Sequence, residues 1–448
     1  MPPRAEPKSF QADAVDHHIS VIDRIGASAE GSVPGFGKTF VAAFVARETG
    51  HELCVVCPRV VIPHWQRAAE AAGTKVLCVS NYEQHKLGNT GLGEWERKPS
   101  RRRDESGRVT KTFGGRWRWT FKRPTLLIFD EAHYAKSRAS MNAKLVTGAH
   151  LQKIPTLVMS ATLAVDPLDL YATGRLLGLH RDDFEWKSFC YAHGCLPVGF
   201  ELKFCPRHDP TALPRLNAAL WPARGHRKTY DEIPGFPAAT DDVREVSAKP
   251  DDLARLEKAW ARVAELEKLE KEAEIAVTAR LRARQIAELA KVPAIVDLAK
   301  DLIESGLSVP IFLNFKDSID AVSAILDCPT IDGRVSDNAR EEAIQAFQAD
   351  EVRTIAIQTD AGGVGISLHD TRGKHPRHSL LSPGDNARSL VQALGRNRRV
   401  GQATPAFRTM LTLENSIERK VYRALTAKVG QLDTINDGDL DPIAEGTP

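Results

Sequence analysis

Short apolar runs alternate with amphipathic stretches along most of the chain. In the first half, "FVAAFVARETG" predicts a helix closed by Gly50. "LCVVCP" predicts a strand, "VVIPHWQRAAEAAG" a helix and "KVLCVS" a strand. "TLLIFD" and "TLVMSA" are short apolar strands that run into polar or small residues. Runs of Val, Ile and Leu separated by helices predict a parallel sheet buried on both faces. The alternation breaks near residue 175. Residues 250–291 are rich in Glu, Lys, Arg, Ala and Leu, which predicts a long helix or helix pair serving as a solvated spacer. A second series then begins. "VPIFLNF", "CPTIDG", "VRTIAIQTD", "HSLLSP" and "AFRTMLTLE" predict strands. "DSIDAVSAIL", "NAREEAIQAFQ" (capped by Asn338), "ARSLVQALGRNRRV" and "SIERKVYRALTAKVGQL" predict the helices between and after them. The expected fold class is α/β, with two parallel-sheet lobes in tandem: lobe one over 1–240, a helical connector over 241–291, lobe two over 292–435 and a flexible tail over 436–448.

Charge sharpens one region. The 448 residues carry a net +3, but residues 97–123 alone hold 11 Lys and Arg against Asp104 and Glu105. That stretch is +9 and the remainder −6. The excess is local, as for a polyanion contact. No apolar run approaches the ~18 residues of a membrane span. The N-terminus has no apolar signal-like segment. Seven cysteines, an odd number in a large chain, fit a reducing, cytoplasmic setting. Cys54 and Cys57 lie three apart on a strand and so face opposite sides. Cys190, Cys195, Cys205 and His208 have irregular spacing and read as buried structural residues.

Three motifs carry chemistry. "SVPGFGKT" over 32–39 is a Gly-rich turn, with Gly35 and Gly37, whose N–H groups cradle phosphate. Lys38 would reach the β- and γ-phosphates of ATP and the Thr39 hydroxyl would ligate magnesium. Ser32 stands where the strict pattern has Gly. "LLIFDEAH" places Asp130 and Glu131 at the carboxyl end of a strand, across the crevice from that turn. Asp130 suits magnesium and Glu131 suits the base orienting the attacking water.

The ordered series "SVPGFGKT", "VVCPRVVIPHWQ", "VSNYE", "DEAH", "MSAT", "IFLNF", "IQTDAGGVGISL" and "QALGRNRRVGQ" resembles superfamily-two helicases. "CPRVVIPHW" and "AGGVGISL" resemble the Swi/Snf-type translocases within it, and "IDGRVSDNAREEAIQAFQ" their annealing-helicase branch. The resemblance implies two RecA-like lobes with ATP between them, Phe10 and Gln11 near adenine, and coupling of hydrolysis to movement through His133, Ser160, Ala161 and Thr162. It implies that Gln392, Arg396 and Arg399 reach the nucleotide from lobe two, where arginine stabilises transition-state charge. It makes Arg59 and the loop containing Thr359, Gly362 and Gly363 tracks for a nucleic-acid backbone. Ser160-Ala161-Thr162 is the form more usual in RNA helicases. The expected activity is therefore an ATP-driven, monomeric motor on duplex or branched DNA. The alternatives are an RNA helicase and an ATP-gated clamp.

The basic segment "GRVTKTFGGRWRWTFKRP" lies between "VSNYE" and "DEAH" as an insertion. Its Gly114-Gly115 pair predicts a two-residue hairpin turn. That turn would put Lys111, Arg116 and Arg118 on one face and Trp117, Trp119 and Phe121 on the other. Two readings follow: aromatics docked on lobe one with solvated cations, or a nucleic-acid grip combining phosphate contacts with stacking on Trp117 and Trp119.

Overall fold

The computed structural model describes residues 4–103, 109–268, 273–362, 366–414, 416 and 418–437, with the backbone alone at 97–103, 109–114, 267, 273, 361–362 and 420. The described residues form two compact units. One runs up to Pro234 and takes in the stretch from Gln431; the other is Gly235–Gly430.

The first unit is built on six parallel strands in the order β10-β1-β7-β6-β2-β3. These are β1 (Ala27–Glu30), β2 (Glu52–Cys57), β3 (Val76–Asn81), β6 (Thr125–Asp130), β7 (Thr156–Met159) and β10 (Gly225–His226). The strands are buried throughout β1 and β7 and over most of β2 and β6, with apolar runs in β2, β6 and most of β7 and small or polar residues in β1, as in a sheet covered on both faces. The helices include α1 (Ser9–Ile25), α2 (Lys38–Glu48), α3 (Ile62–Ala72), α4 (Tyr82–Lys86) and α5 (Met141–Leu151). Parallel pairing sends every strand's carboxyl end to one edge. Register there is tight: Glu30 and Asp130 both pair with Met159. The residues that follow β1, β6 and β7 therefore leave the sheet from a single row.

The second unit repeats the plan with six parallel strands in the order β11-β16-β15-β12-β14-β13. They are β11 (Ala239–Val246), β12 (Val309–Leu313), β13 (Thr330–Ile331), β14 (Thr354–Gln358), β15 (His378–Leu381) and β16 (Ala406–Leu413). The two-sheet α/β architecture matches the sequence reading. The connector differs from it. Residues 239–246 form an edge strand of the second sheet, paired with β16 over its whole length. The helix Ala273–Glu304 puts Ala287, Ala290 and Ile295 into the core with Ile311, Ala356 and Leu411. Lys291, fully buried, pairs with Glu418 at 2.8 Å and also donates to Ser382 and Leu411 O. The helical segment is thus part of the second unit, not a solvated spacer. Ser336, not Asn338, caps the helix Asp337–Gln348, its hydroxyl accepting from the Ala339 N–H. Asn436 and Asp437 lie in the helix Glu418–Asp437 and pack in the first unit, where Asn436 donates to Ala161 O; residues 438–448 lie outside the described residues.

The basic insert is a hairpin, but not the expected one. β4 (Gly93–Arg103) pairs antiparallel with β5 (Val109–Trp119) over eleven residues each, and β5 runs straight through Gly114 and Gly115. Lys111 pairs with Arg101 and Arg116 with Glu96, so Lys111 has no cross-strand partnership with Arg118. A longer partner strand upstream outcompetes the two-residue turn. The pleat then turns Trp117 and Trp119 into the lobe, where both are buried and join Leu127, Phe129, Leu145 and Val158. Gly148 of α5 admits this packing: a Cβ there would lie 2.6 Å from Trp117 O. Trp119 donates from Nε1 to Leu145 O at 3.1 Å. Stacking of bases on Trp117 and Trp119 is excluded by this burial.

Trp117→Ala removes a fully buried ring and is expected to cost about 3–5 kcal/mol of stability. Arg118→Ala, on the solvent face, is expected to leave the melting temperature nearly unchanged. Thermal unfolding of both variants checks the inward and outward assignment.

Candidate functional site

At the carboxyl edge of the first sheet, β1 leads into the turn at 31–37 and then into α2. Gly35 and Gly37 take φ of 86° and 94°, a region open to glycine at little cost. Gly37 is required twice, since a Cβ there would meet Gln11 Nε2 at 2.4 Å. Gln11 donates to Phe36 O at 3.2 Å, and Phe10 and Phe36 rings lie 5.5 Å apart. The expected adenine-side residues thus touch the loop itself. Lys38 folds back on the turn, donating to Ser32 O at 2.6 Å and Val33 O at 3.1 Å. Burial pulls its ammonium down to about 8, against the raising pull of Glu30 and Glu131. Thr39 is the second residue of α2, directly behind it.

Asp130 ends β6. Burial pushes its carboxyl up to about 7 and the Glu131 charge adds to this. The Trp65 indole N–H, 2.8 Å from Oδ2, opposes the rise, as does the Glu131 N–H on Oδ1 at 2.9 Å. Trp65 is fully buried on α3, and sequence reasoning gave it no role. Glu131 sits in the left-handed region at φ 51°, ψ 52°. A non-glycine residue held there stores about 1 kcal/mol or more, and such strain gathers at functional positions.

Glu131, His133 and Ser160 form a tight triangle. Ser160 Oγ donates to Glu131 Oε2 at 3.3 Å, and His133 Nδ1 lies 3.2 Å from each. The Thr162 N–H donates to Ser160 Oγ at 3.1 Å, and the Ser160 N–H donates to Glu30 O at 3.1 Å. Ala161 O accepts from Asn436. The residues assigned to coupling therefore touch the residue assigned as base.

In the second unit, Arg396 and Arg399 converge on one carbonyl, Ile366 O, at 3.2 and 2.8 Å. Gln392 is buried on the helix Ala387–Leu394 that precedes them. Thr359 is buried and its hydroxyl donates to Leu313 O at 3.0 Å. It opens the short helix Thr359–Gly362; Gly363 lies outside the described residues. A cavity of about 170 Å³ beside it is lined by Arg284, Asn314, Asp360, Asn386 and Ser389. In the first unit, Arg59 is exposed at the start of a single helical turn after β2. Arg116 is exposed, while Arg118 is tied to Glu94 and, at 3.2 Å, to Glu96.

Comparison with known proteins shows what the chain is similar to. Residues 330–447 match the family described as the C-terminal domain on Strawberry notch homologue. The chain is 28% identical over 459 residues to "Putative ATP-dependent RNA helicase L364" of Acanthamoeba polyphaga mimivirus, covering 96% of this chain and 84% of that protein. It is 31% identical over 145 residues to "DNA excision repair protein ERCC-6-like" of Danio rerio and 26% over 160 residues to "DNA repair protein RAD5" of Yarrowia lipolytica. The chain is similar to superfamily-two helicase-type ATPases, on their Swi/Snf-like side. It spans 10% and 15% of the two DNA-repair relatives. A solved structure, the C-terminal part of the Fun30 ATPase domain, aligns with 45% of the chain at 16% identity and a TM-score of 0.35.

For this ATPase the electrostatics set a pH profile. Asp130 gains a proton as pH falls through about 7, and Lys38 loses one as pH rises through about 8. The kcat/KM for ATP reports the free enzyme. It is expected to fall on both sides of that narrow window. Trp65→Phe removes a hydrogen bond to ionised Asp130 and is expected to move the acid limb upward. A profile flat from pH 6 to 9 would contradict both assignments.

Proposed function

We propose that the protein is an ATP-driven motor on duplex or branched DNA. The observation that carries the reading is the convergence, on one row of the first sheet, of the Lys38 turn, Asp130 with Glu131, and Ser160. Hydrolysis of ATP needs those three parts together: a phosphate cradle, a carboxylate pair and an element that senses turnover. Thr39 and Asp130 supply hard oxygen donors of the kind magnesium takes, and would hold it against the phosphates, where it neutralises developing charge. Glu131 orients the attacking water and accepts its proton. Ser160 and His133, in contact with Glu131, relay its state. Gln392, Arg396 and Arg399 serve the same turnover, the arginines by offsetting negative charge at the transferring phosphoryl group.

DNA is favoured by the names of several relatives and by the local cationic excess of 97–123. Exposed Arg116, Arg59 and the loop around Thr359 and Gly362 are the proposed backbone contacts, which are sequence-independent and salt-sensitive. Lys111 belongs to the same basic arm. Arg118 is a weaker candidate, because Glu94 and Glu96 already share its charge. A second reading, an RNA helicase, draws on the name of the mimivirus relative and on Ser160-Ala161-Thr162.

Duplex DNA is expected to stimulate ATP hydrolysis at least about tenfold and structured RNA far less, with Glu131→Gln abolishing turnover while retaining ATP binding. Greater stimulation by RNA would move the assignment to the second reading. Equal turnover with and without nucleic acid would overturn both. Triplex displacement in the same preparation separates movement from ATP-gated clamping.

A further inference from the structure

One buried group beside the phosphate turn has no part in the chemistry above. Glu30, the last residue of β1, is fully buried, and its carboxylate is the hub of a closed hydrogen-bond network. His18 Nε2 lies 2.9 Å from Glu30 Oε2, and His226 Nδ1 lies 3.2 Å from the same oxygen. The other His18 nitrogen, Nδ1, is 2.8 Å from Ser28 Oγ. The second carboxylate oxygen, Oε1, accepts the Ser32 N–H at 2.7 Å. Ser32 is the first residue of the turn that holds Lys38: its carbonyl takes the Lys38 ammonium and its hydroxyl accepts the Lys228 N–H at 3.0 Å.

Burying a carboxylate is costly, and packing alone would favour an apolar residue at this position. Burial by itself would raise the Glu30 pKa. The hydrogen bonds from His18 and His226 outweigh it and hold the carboxyl well below the usual range, so the group is ionised. Burial lowers the His18 pKa, which keeps that ring neutral, with Nε2–H donating to Glu30 and Nδ1 accepting from the Ser28 hydroxyl. His18 lies seven residues beyond Gln11, on the same buried face of α1. One helix therefore grips the turn twice: through Gln11 at Phe36 O and through His18 and Glu30 at the Ser32 N–H.

The same three side chains have ligand atoms within 4.8 Å of one another, the arrangement of a metal cluster. Both oxygens of Glu30 and both nitrogens of His18 are already committed to protein partners, and among the described residues no fourth His, Cys, Asp or Glu joins them. The geometry is fully accounted for by protons.

We propose that Glu30, braced by His18 and His226, is a positioning residue that presets the phosphate turn for ATP by fixing the peptide at Ser32. Resting on the reading of 32–39 as the phosphate turn, it adds to that reading a brace outside the motif. Losing the brace frees the turn before ATP binds, so the effect falls on ATP affinity and not on the hydrolysis step.

The test measures KM for ATP and kcat at saturating nucleic acid, well below the melting temperature. Glu30→Ala is expected to raise KM about tenfold with kcat within about twofold, the scale of one buried, charge-assisted hydrogen bond. Glu30→Gln keeps a carbonyl for the Ser32 N–H and is expected to recover most of the KM. If Glu30→Ala does not fold, His226→Ala, at the less buried end of the network, is expected to raise KM several-fold in the same sense. Unchanged KM in the folded variants, or an equal loss in Glu30→Gln and Glu30→Ala, would overturn the proposal. So would one equivalent of tightly bound metal in the purified protein that disappears in His226→Ala. Lys38→Ala runs in parallel: if it binds ATP as the wild type does, the phosphate-turn reading itself is wrong, whereas loss of binding there with normal KM in Glu30→Ala sinks only the brace.

Discussion

The structure depends on the register of three neighbouring strands. β7 lies between β1 and β6, and Met159 pairs with both Glu30 and Asp130. Because the strands are parallel, the next residue of each chain emerges from the same edge at the same height. A slip of one residue in either pairing would carry Ser160 off the row and move side chains packed on one face of the sheet to the other. The buried apolar strands fix the register, since each of Leu127, Phe129 and Val158 must stay in the core. Chemistry at the edge is thus a consequence of packing beneath it.

That placement has electrostatic consequences. Asp130 and Glu131 are adjacent acids at a buried edge, where burial and then the Glu131 charge raise the cost of ionising Asp130. Trp65, Lys38 and backbone N–H groups offset part of that cost. The left-handed backbone at Glu131 turns its side chain toward Ser160 and His133, where a relaxed helical start would not hold it. Strain, burial and close like charges all concentrate within a few residues. The rest of the unit is conventional in its packing.

Much of this was legible in the sequence because it is local. The acids at 130–131 and the triplet at 160–162 each follow an apolar strand, and the turn at 32–39 carries its own Gly and Lys pattern, so all three are written in the chain. What escaped was non-local. His18, Glu30 and His226 meet only after α1, β1 and β10 assemble, and Trp65 reaches Asp130 from a separate helix. The hairpin misled for a related reason. Gly114-Gly115 is a sound turn signal taken alone, but the charged segment "GEWERKPSRRR" reads as a linker until it is seen paired with β5. "ATDDVREV" was missed as a strand because it is an edge strand, exposed along most of its length, with no apolar run to announce it.

The central claim is that the carboxyl edge of the first sheet binds ATP through elements gathered by that register. Hydrogen–deuterium exchange with and without a non-hydrolysable ATP analogue and magnesium tests it most directly. Exchange is expected to slow together in four segments: the loop at 31–40, the start of α1 around Gln11, residues 130–134 and residues 160–163. Protection confined elsewhere, or in the loop without the strand ends beside it, would contradict the account.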